Sequence, residues 1–177
     1  VEITGKTNHA GTTPMNDRQD AMMAAAHFVL AVNDIVTQME GAQVGTVGRI
    51  QAFPGAPNVI PGKVIASLEL RDLDAEKIAL LFNQISKEAI AIGEATETNF
   101  SFIPIDATAA PALTDLRVQE IIRKNAIQLG YTHKTLPSGA GHDAQDMAVI
   151  TPTGMIFVPS VGGISHAPDE YSSPEAI

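Results

Sequence analysis

Apolar and polar residues alternate over positions 1–8, 44–53 and 64–71, and a period of two predicts half-buried strands. In the last of these, Val64, Ala66, Leu68 and Leu70 take one face, and Ile65, Ser67, Glu69 and Arg71 the other. A fourth strand is predicted over 100–105. Between the strands the period lengthens. Ala21, Ala25, Phe28, Val32, Ile35 and Met39 recur at helical spacing, with Asn16 or Asp17 as the cap and Gly41 as the stop. Ile78, Leu81, Phe82, Ile85, Ala89 and Ile92 make a second helical face behind Asp74. Segments 54–57 and 58–62, rich in Pro and Gly, read as a loop and a turn. The order strand, helix, strand, strand, helix, strand predicts a ferredoxin-like split βαβ sandwich in an α+β chain. Its two helices lie on one face of an antiparallel sheet, and residues 1–108 complete it.

Small residues at 107–111 read as a linker. Beyond them the pattern predicts a helix over 114–129, a short strand over 131–135, a loop over 137–143 and a helix over 144–149. Residues 154–158 are apolar without interruption, which predicts a central strand of an α/β sheet covered on both faces. Residues 109–177 are too few to cover such a sheet, so they read as the C-terminal portion of an α/β domain. The chain opens inside a strand and stops at the start of a helix, and both ends read as cut from something longer.

Composition narrows the function. Of 177 residues, 45% are hydrophobic and 18% charged, the balance of an ordinary globular protein. Twenty acidic residues against 11 basic ones give a net charge of -9, which disfavours nucleic acid as a partner. Absence of cysteine excludes disulfides, thiolate nucleophiles and cysteine-based zinc sites. With no signal-peptide pattern and no apolar run near the roughly 20 residues that span a bilayer, the expectation is a cytoplasmic protein away from the membrane.

Two turns rich in Gly, Pro and hydroxyl residues carry histidines. His9 ends a strand and enters a glycine turn, where its imidazole can donate to a substrate carbonyl or simply cap its own turn. His166 follows the predicted strand 154–158, at the strand end where ligands of open α/β sheets gather. Imidazole is a common metal ligand, yet no neighbour completes a metal-ligand spacing. Arg71 can fork onto a carboxylate or pair with Asp72 or Asp74. Asn58 can bind substrate through its amide or form a structural turn. His142 and Asp143 suggest half of a proton-transfer pair, although Asp143 reads equally as a helix cap. The loop holding Gly139 and Gly141 can present backbone N–H groups to an anion.

Five segments occur in a recognisable order: HAGTTPM at 9–15 with Arg18 and Asp20, APNVIPG at 56–62, LELRDLD at 68–74, SGAGHDAQ at 138–145 and GGISHAPDE at 162–170. Their wording resembles the amidohydrolases of the M20 metallopeptidase superfamily, closest to the N-carbamoyl-L-amino acid hydrolases, β-ureidopropionases and allantoate amidohydrolases. The resemblance implies a lid and dimerisation domain over 1–108, followed over 109–177 by the returning part of a catalytic α/β domain. It implies a homodimer, a small ureido substrate bearing a carboxylate, and two divalent ions, zinc or manganese, in the intact parent. By the same resemblance His166 matches a metal ligand, and His9 a lid histidine that polarises the scissile carbonyl across the dimer. Asn58, Arg71, Gly139 and Gly141 match substrate-binding positions. The remaining metal ligands and the general-base glutamate are expected upstream of Val1, so the isolated chain is expected to hold no metal pair and to be inactive. Two other readings stay open: an M20 aminoacylase or dipeptidase, and a non-catalytic dimerisation or ligand-binding module.

Overall fold

A computed structural model describes residues 1–105 and 111–177, which form two compact units, Val1–Pro111 and Ala112–Ile177. Most of the expected linker, 107–110, lies outside the described residues. The first unit mixes helix and sheet. In chain order its elements are β1 (Glu2–Thr4), β2 (Asn8–His9), α1 (Ala21–Gln38), β3 (Val44–Thr46), β4 (Ile50–Phe53), β5 (Val59–Ile60), β6 (Lys63–Ala66), β7 (Glu69–Arg71), α2 (Ala75–Thr96) and β8 (Asn99–Ser101).

Four strands make one antiparallel sheet in the order β4-β6-β1-β8. The register lines up Ala52, Val64, Ile3 and Phe100 across the strands. Ile3 and Val64 are fully buried. Both helices cover this row. The buried stripe of α1 is Ala21, Ala24, Ala25, Phe28, Val32 and Val36, and that of α2 is Leu81, Ile85, Ala89 and Ile92. Phe28 fills the centre, its ring 5.6 Å from Phe100 and 6.1 Å from Phe102. On the open face of the sheet Lys63 pairs with Glu2 at 2.6 Å.

Capping explains where the helices begin. Asp20, rather than the expected Asn16 or Asp17, accepts from the N–H groups of Met22 and Met23. Residues Met15–Asp17 instead form a 3-10 turn. Asp74 caps α2 as expected, accepting from Glu76 and Lys77. By length and composition α1 is apolar enough to cross a membrane, a property hidden from a search for uninterrupted apolar runs because Asn33 and Asp34 break the run. Its buried stripe accounts for that character as a core helix.

The long strands read from alternation are interrupted. The first breaks at Gly5, whose N–H donates to Gly62 O at 2.8 Å where the start of α1 presses close. Strands 44–53 and 64–71 break opposite each other, where Ser67 Oγ accepts from Arg49 N–H and Ser67 N–H donates to Arg49 O. The segment expected as a plain turn, 58–62, contains β5, which pairs with β2.

In the second unit Asp115 caps α3 (Leu116–Gln128), and Gly154 packs under it, close to Val118 and Ile122. A further helix, α4, spans Ala144–Ile150. The strands expected over 131–135 and 154–158 are absent: no described residue of this unit is paired as a strand, and Ile156, Phe157 and Val158 are exposed. A strand exists through its ladder with a neighbour, so apolar composition alone does not produce one.

Candidate functional site

His9 sits on the short ribbon made by β2 and β5, opposite Val59. This ribbon projects from one end of the main sheet, since β1 leads into β2 and β5 leads into β6. The chain on both sides of His9 is held. Its own N–H donates to Asn8 Oδ1 at 2.9 Å, and its carbonyl accepts from Thr13 Oγ1 at 2.7 Å and Thr13 N–H at 3.2 Å. The ring is oriented by Gly11, whose N–H donates to His9 Nδ1 at 3.0 Å. A neutral imidazole carries one donor and one acceptor. With Nδ1 accepting, the proton resides on Nε2, so the exposed ring offers a single N–H donor.

Asn58 belongs to the same end of the molecule. Its carbonyl accepts from Ala10 N–H at 2.9 Å, so the residue after His9 is tied to the residue before Val59. Asn58 is exposed. His9 and Asn58 are therefore neighbours on one ribbon.

Arg71 is placed elsewhere. It ends β7, which pairs with β3 beyond the opposite end of β6. The extended run from Ile60 to Glu69 covers up to about 30 Å. His9 and Asn58 thus lie near the start of β6 and Arg71 beyond its end. Arg71 Nε and Nη2 donate to Glu69 Oε1 at 3.0 and 2.6 Å. Residues two apart on a strand share a face, which brings Glu69 and Arg71 together. Both side chains are exposed, so this pair is worth at most about 1 kcal/mol.

In the second unit, Gly139 and Gly141 lie in an exposed loop. Ser138 Oγ accepts from Ala140 N–H at 3.3 Å, which occupies one of the N–H groups an anion would use. His142 is a cap rather than half of a proton-transfer pair: its Nδ1 accepts from Ala144 N–H at 3.2 Å, whereas the Asp143 side chain makes no cap bond. His166 adopts φ 58°, a left-handed conformation that non-glycine residues seldom take. The Glu170 carboxylate holds it there by accepting from His166 N–H at 2.7 Å.

Among the described residues no three His, Asp or Glu side chains converge as a metal site. His166 supplies one imidazole, and the Glu170 carboxylate beside it accepts from the His166 backbone N–H. The described residues therefore do not fit a metal pair on their own.

Sequence reading passed over Arg18, although its motif includes it. Arg18 Nη2 donates to Ala10 O at 2.6 Å and Thr13 O at 3.0 Å, and Nε donates to Thr13 O at 3.1 Å. A turn made of small residues leaves its carbonyls in need of donors, and a lone arginine just beyond it is the signal that points to this role.

Comparison with known proteins places the chain among amidohydrolases. The chain is 38% identical over 176 residues to the N-carbamoyl-L-amino-acid amidohydrolase of Paenarthrobacter aurescens, an alignment covering 97% of this chain and 42% of that protein. It is 40% identical over 176 residues to the ureidoglycolate hydrolase of Arabidopsis thaliana, covering 99% of this chain and 37% of the relative. The crystal structure of AtUAH in complex with (S)-hydroxyglycine superposes with a TM-score of 0.90 at 40% identity, over 99% of this chain and 42% of the other. The chain thus spans about two fifths of the length of these proteins. The family profile described as peptidase family M20/M25/M40 matches residues 5–177. With nearly every residue inside that match, this chain belongs to the M20/M25/M40 peptidase family.

Proposed function

We propose that the chain is the lid and dimerisation domain, followed by the C-terminal part of the catalytic domain, of an amidohydrolase that cleaves the ureido C–N bond of small carboxylates. The observation that carries this reading is His9: an exposed imidazole whose only free ring nitrogen is an N–H donor, mounted beside Asn58 on a braced ribbon. The order β4-β6-β1-β8, with both helices packed on it, supports a ferredoxin-like module over 1–108. The names of the relatives support ureido chemistry.

In this reading water adds to the ureido carbonyl carbon, and negative charge develops on the carbonyl oxygen. His9 Nε2–H donates to that oxygen and bonds it more strongly as the charge grows, which lowers the barrier. The C–N bond to the terminal nitrogen then breaks as that nitrogen gains a proton. Ammonia leaves, and the carbamate left behind loses carbon dioxide. Asn58 orients the ureido group, and Arg71 grips the substrate carboxylate in place of Glu69. Because Arg71 lies at the other end of β6, one site in a homodimer draws His9 and Asn58 from one protomer and Arg71 from its partner. Gly139 and Gly141 line the pocket. His166 would contribute one ligand to a zinc or manganese pair in the intact parent, whose other ligands would come from outside this chain.

The test is ammonia release by the intact parent from N-carbamoyl-L-amino acids, allantoate and ureidoglycolate, with and without a chelator. Chelator-sensitive release from one of these is the expected result. Cleavage of N-acyl amino acids or dipeptides alone would move the protein to the aminoacylase branch and leave the ureido reading without support.

A further inference from the structure

We infer that Arg18 is a positioning residue: it holds His9 in its Nε2–H tautomer by clamping the turn that supplies the bond to Nδ1. The inference deepens the role given to His9 above and rests on that reading for its catalytic consequence, though not for its structural one.

The contacts form a closed chain of cause. The guanidinium of Arg18 spans the turn, with Nη2 on both Ala10 O and Thr13 O and Nε on Thr13 O. Gly11 lies between those two carbonyls and points its N–H at His9 Nδ1. Thr13, held by the same clamp, returns two donors to the His9 carbonyl. The arginine therefore fixes both ends of the segment whose middle N–H sets the ring. A charged, planar fork suits this task, since an ammonium cannot bond two carbonyls and keep a fixed plane.

Gly11 shows how close the fit is. A Cβ placed there would lie 3.2 Å from His9 Cε1 and 3.5 Å from Nδ1, so the imidazole packs directly over the turn. A loosened turn would release both the bond to Nδ1 and the packing beneath the ring. The ring could then rotate or exchange tautomers, and its outward nitrogen would become an acceptor for part of the time. An acceptor repels a developing oxyanion. The loss would appear in turnover rather than in substrate binding, because that bond strengthens only in the transition state.

The experiment measures the tautomer directly. In the 177-residue chain labelled with 15N-histidine, the His9 ring nitrogens report which one carries the proton. The wild type is expected to show protonated Nε2 and accepting Nδ1, and Arg18→Gln a mixture of the two tautomers. Arg18→Lys is expected to fall between them. Gly11→Ala, which removes none of the atoms that Arg18 bonds, should disturb the ring signals by a second route. Amide spectra and melting curves of each variant establish that the fold persists. In the intact parent, Arg18→Gln is expected to lower kcat about 10-fold or more with KM within about twofold, since misplacement by an ångström can cost about 100-fold. An unchanged His9 tautomer in folded Arg18→Gln overturns the inference. A shifted tautomer in a parent whose turnover does not need His9 would leave Arg18 as the clamp and remove the catalytic role of His9, so the two failures are distinguishable.

Discussion

Replacing Gly5 by alanine tests the junction that sets the His9 ribbon in place. An added Cβ would lie 2.1 Å from the Gln19 carbonyl oxygen, 2.9 Å from its carbon and 3.2 Å from Ala21 N. These are backbone atoms, so no change of rotamer relieves the clash. The facing segment is itself pinned: Asp20 caps α1, Lys6 N–H donates to Gln19 O at 2.8 Å, and Ala21 N–H donates to Pro61 O at 3.0 Å. The gap must open by about 0.9 Å merely to reach the 3.0 Å below which such contacts essentially never fall. Overpacking costs about 1–3 kcal/mol, and a clash with pinned backbone belongs at the upper end. Alanine offsets about 0.4–1 kcal/mol of this by restricting the unfolded chain. The expected net loss is therefore about 2 kcal/mol, or a fall in Tm of about 8–16 °C for a unit of this size. Thermal melts followed by circular dichroism, with urea titration, measure it. Gly48→Ala is the matched control, because its Cβ would meet nothing closer than 3.9 Å, and it should stay within about 0.5 kcal/mol of wild type. If Gly5→Ala melts together with Gly48→Ala, the close approach of β1 to the start of α1 is refuted.

Three further outcomes are expected. His9→Ala in the intact parent should lower kcat about 100-fold or more, the usual loss for one oxyanion donor; near-normal turnover in steady-state assays would remove His9 from the mechanism. Asp20→Ala should destabilise the first unit by about 1 kcal/mol through two uncapped N–H groups, and Asp17→Ala should cost less in the same urea titration. On α3 the Arg123 guanidinium, donating to both Glu120 oxygens at 2.6 Å, pulls the Glu120 carboxyl down to about 2. A carboxyl with a lowered folded-state pKa favours the fold above its ordinary pKa of 4.5, and that favour fades as pH falls toward 2. Arg123→Gln should return the midpoint, read by carbon NMR of the Glu120 carboxyl, toward the ordinary range, and an unmoved midpoint would exclude the arginine as the cause.

Much of the first unit was legible in the pattern of residues. The stripes Ala21, Ala25, Phe28 and Val32, and Leu81, Ile85, Ala89 and Ile92, are buried where the helical period put them. Asp74 caps where expected, because a cap acts on N–H groups two and three residues away and needs no distant partner. The strand breaks at Gly5 and Ser67 were not legible. They arise from contacts with Gln19 and Arg49, residues brought close only by folding. The run 154–158 illustrates the opposite error, since its apolar character says what it would bury against and not whether a partner strand stands beside it.

The candidate site divides along the same line. Sequence by itself determined which residue types are available: a histidine in a glycine turn, an asparagine between two prolines, and an arginine closing a run of alternating residues. Only the tertiary structure decided how they group. The β2–β5 pairing joins His9 to Asn58, whereas β6 carries Arg71 away to the far end of the sheet. The clamp of Arg18 on its own turn and the His142 bond to Ala144 N–H are local contacts, set within a few residues of chain. The physical reason is the range of the forces involved. Periodicity and capping act over a few residues along the chain, while strand pairing and side-chain bonds to distant carbonyls depend on which segments the packed core brings into reach.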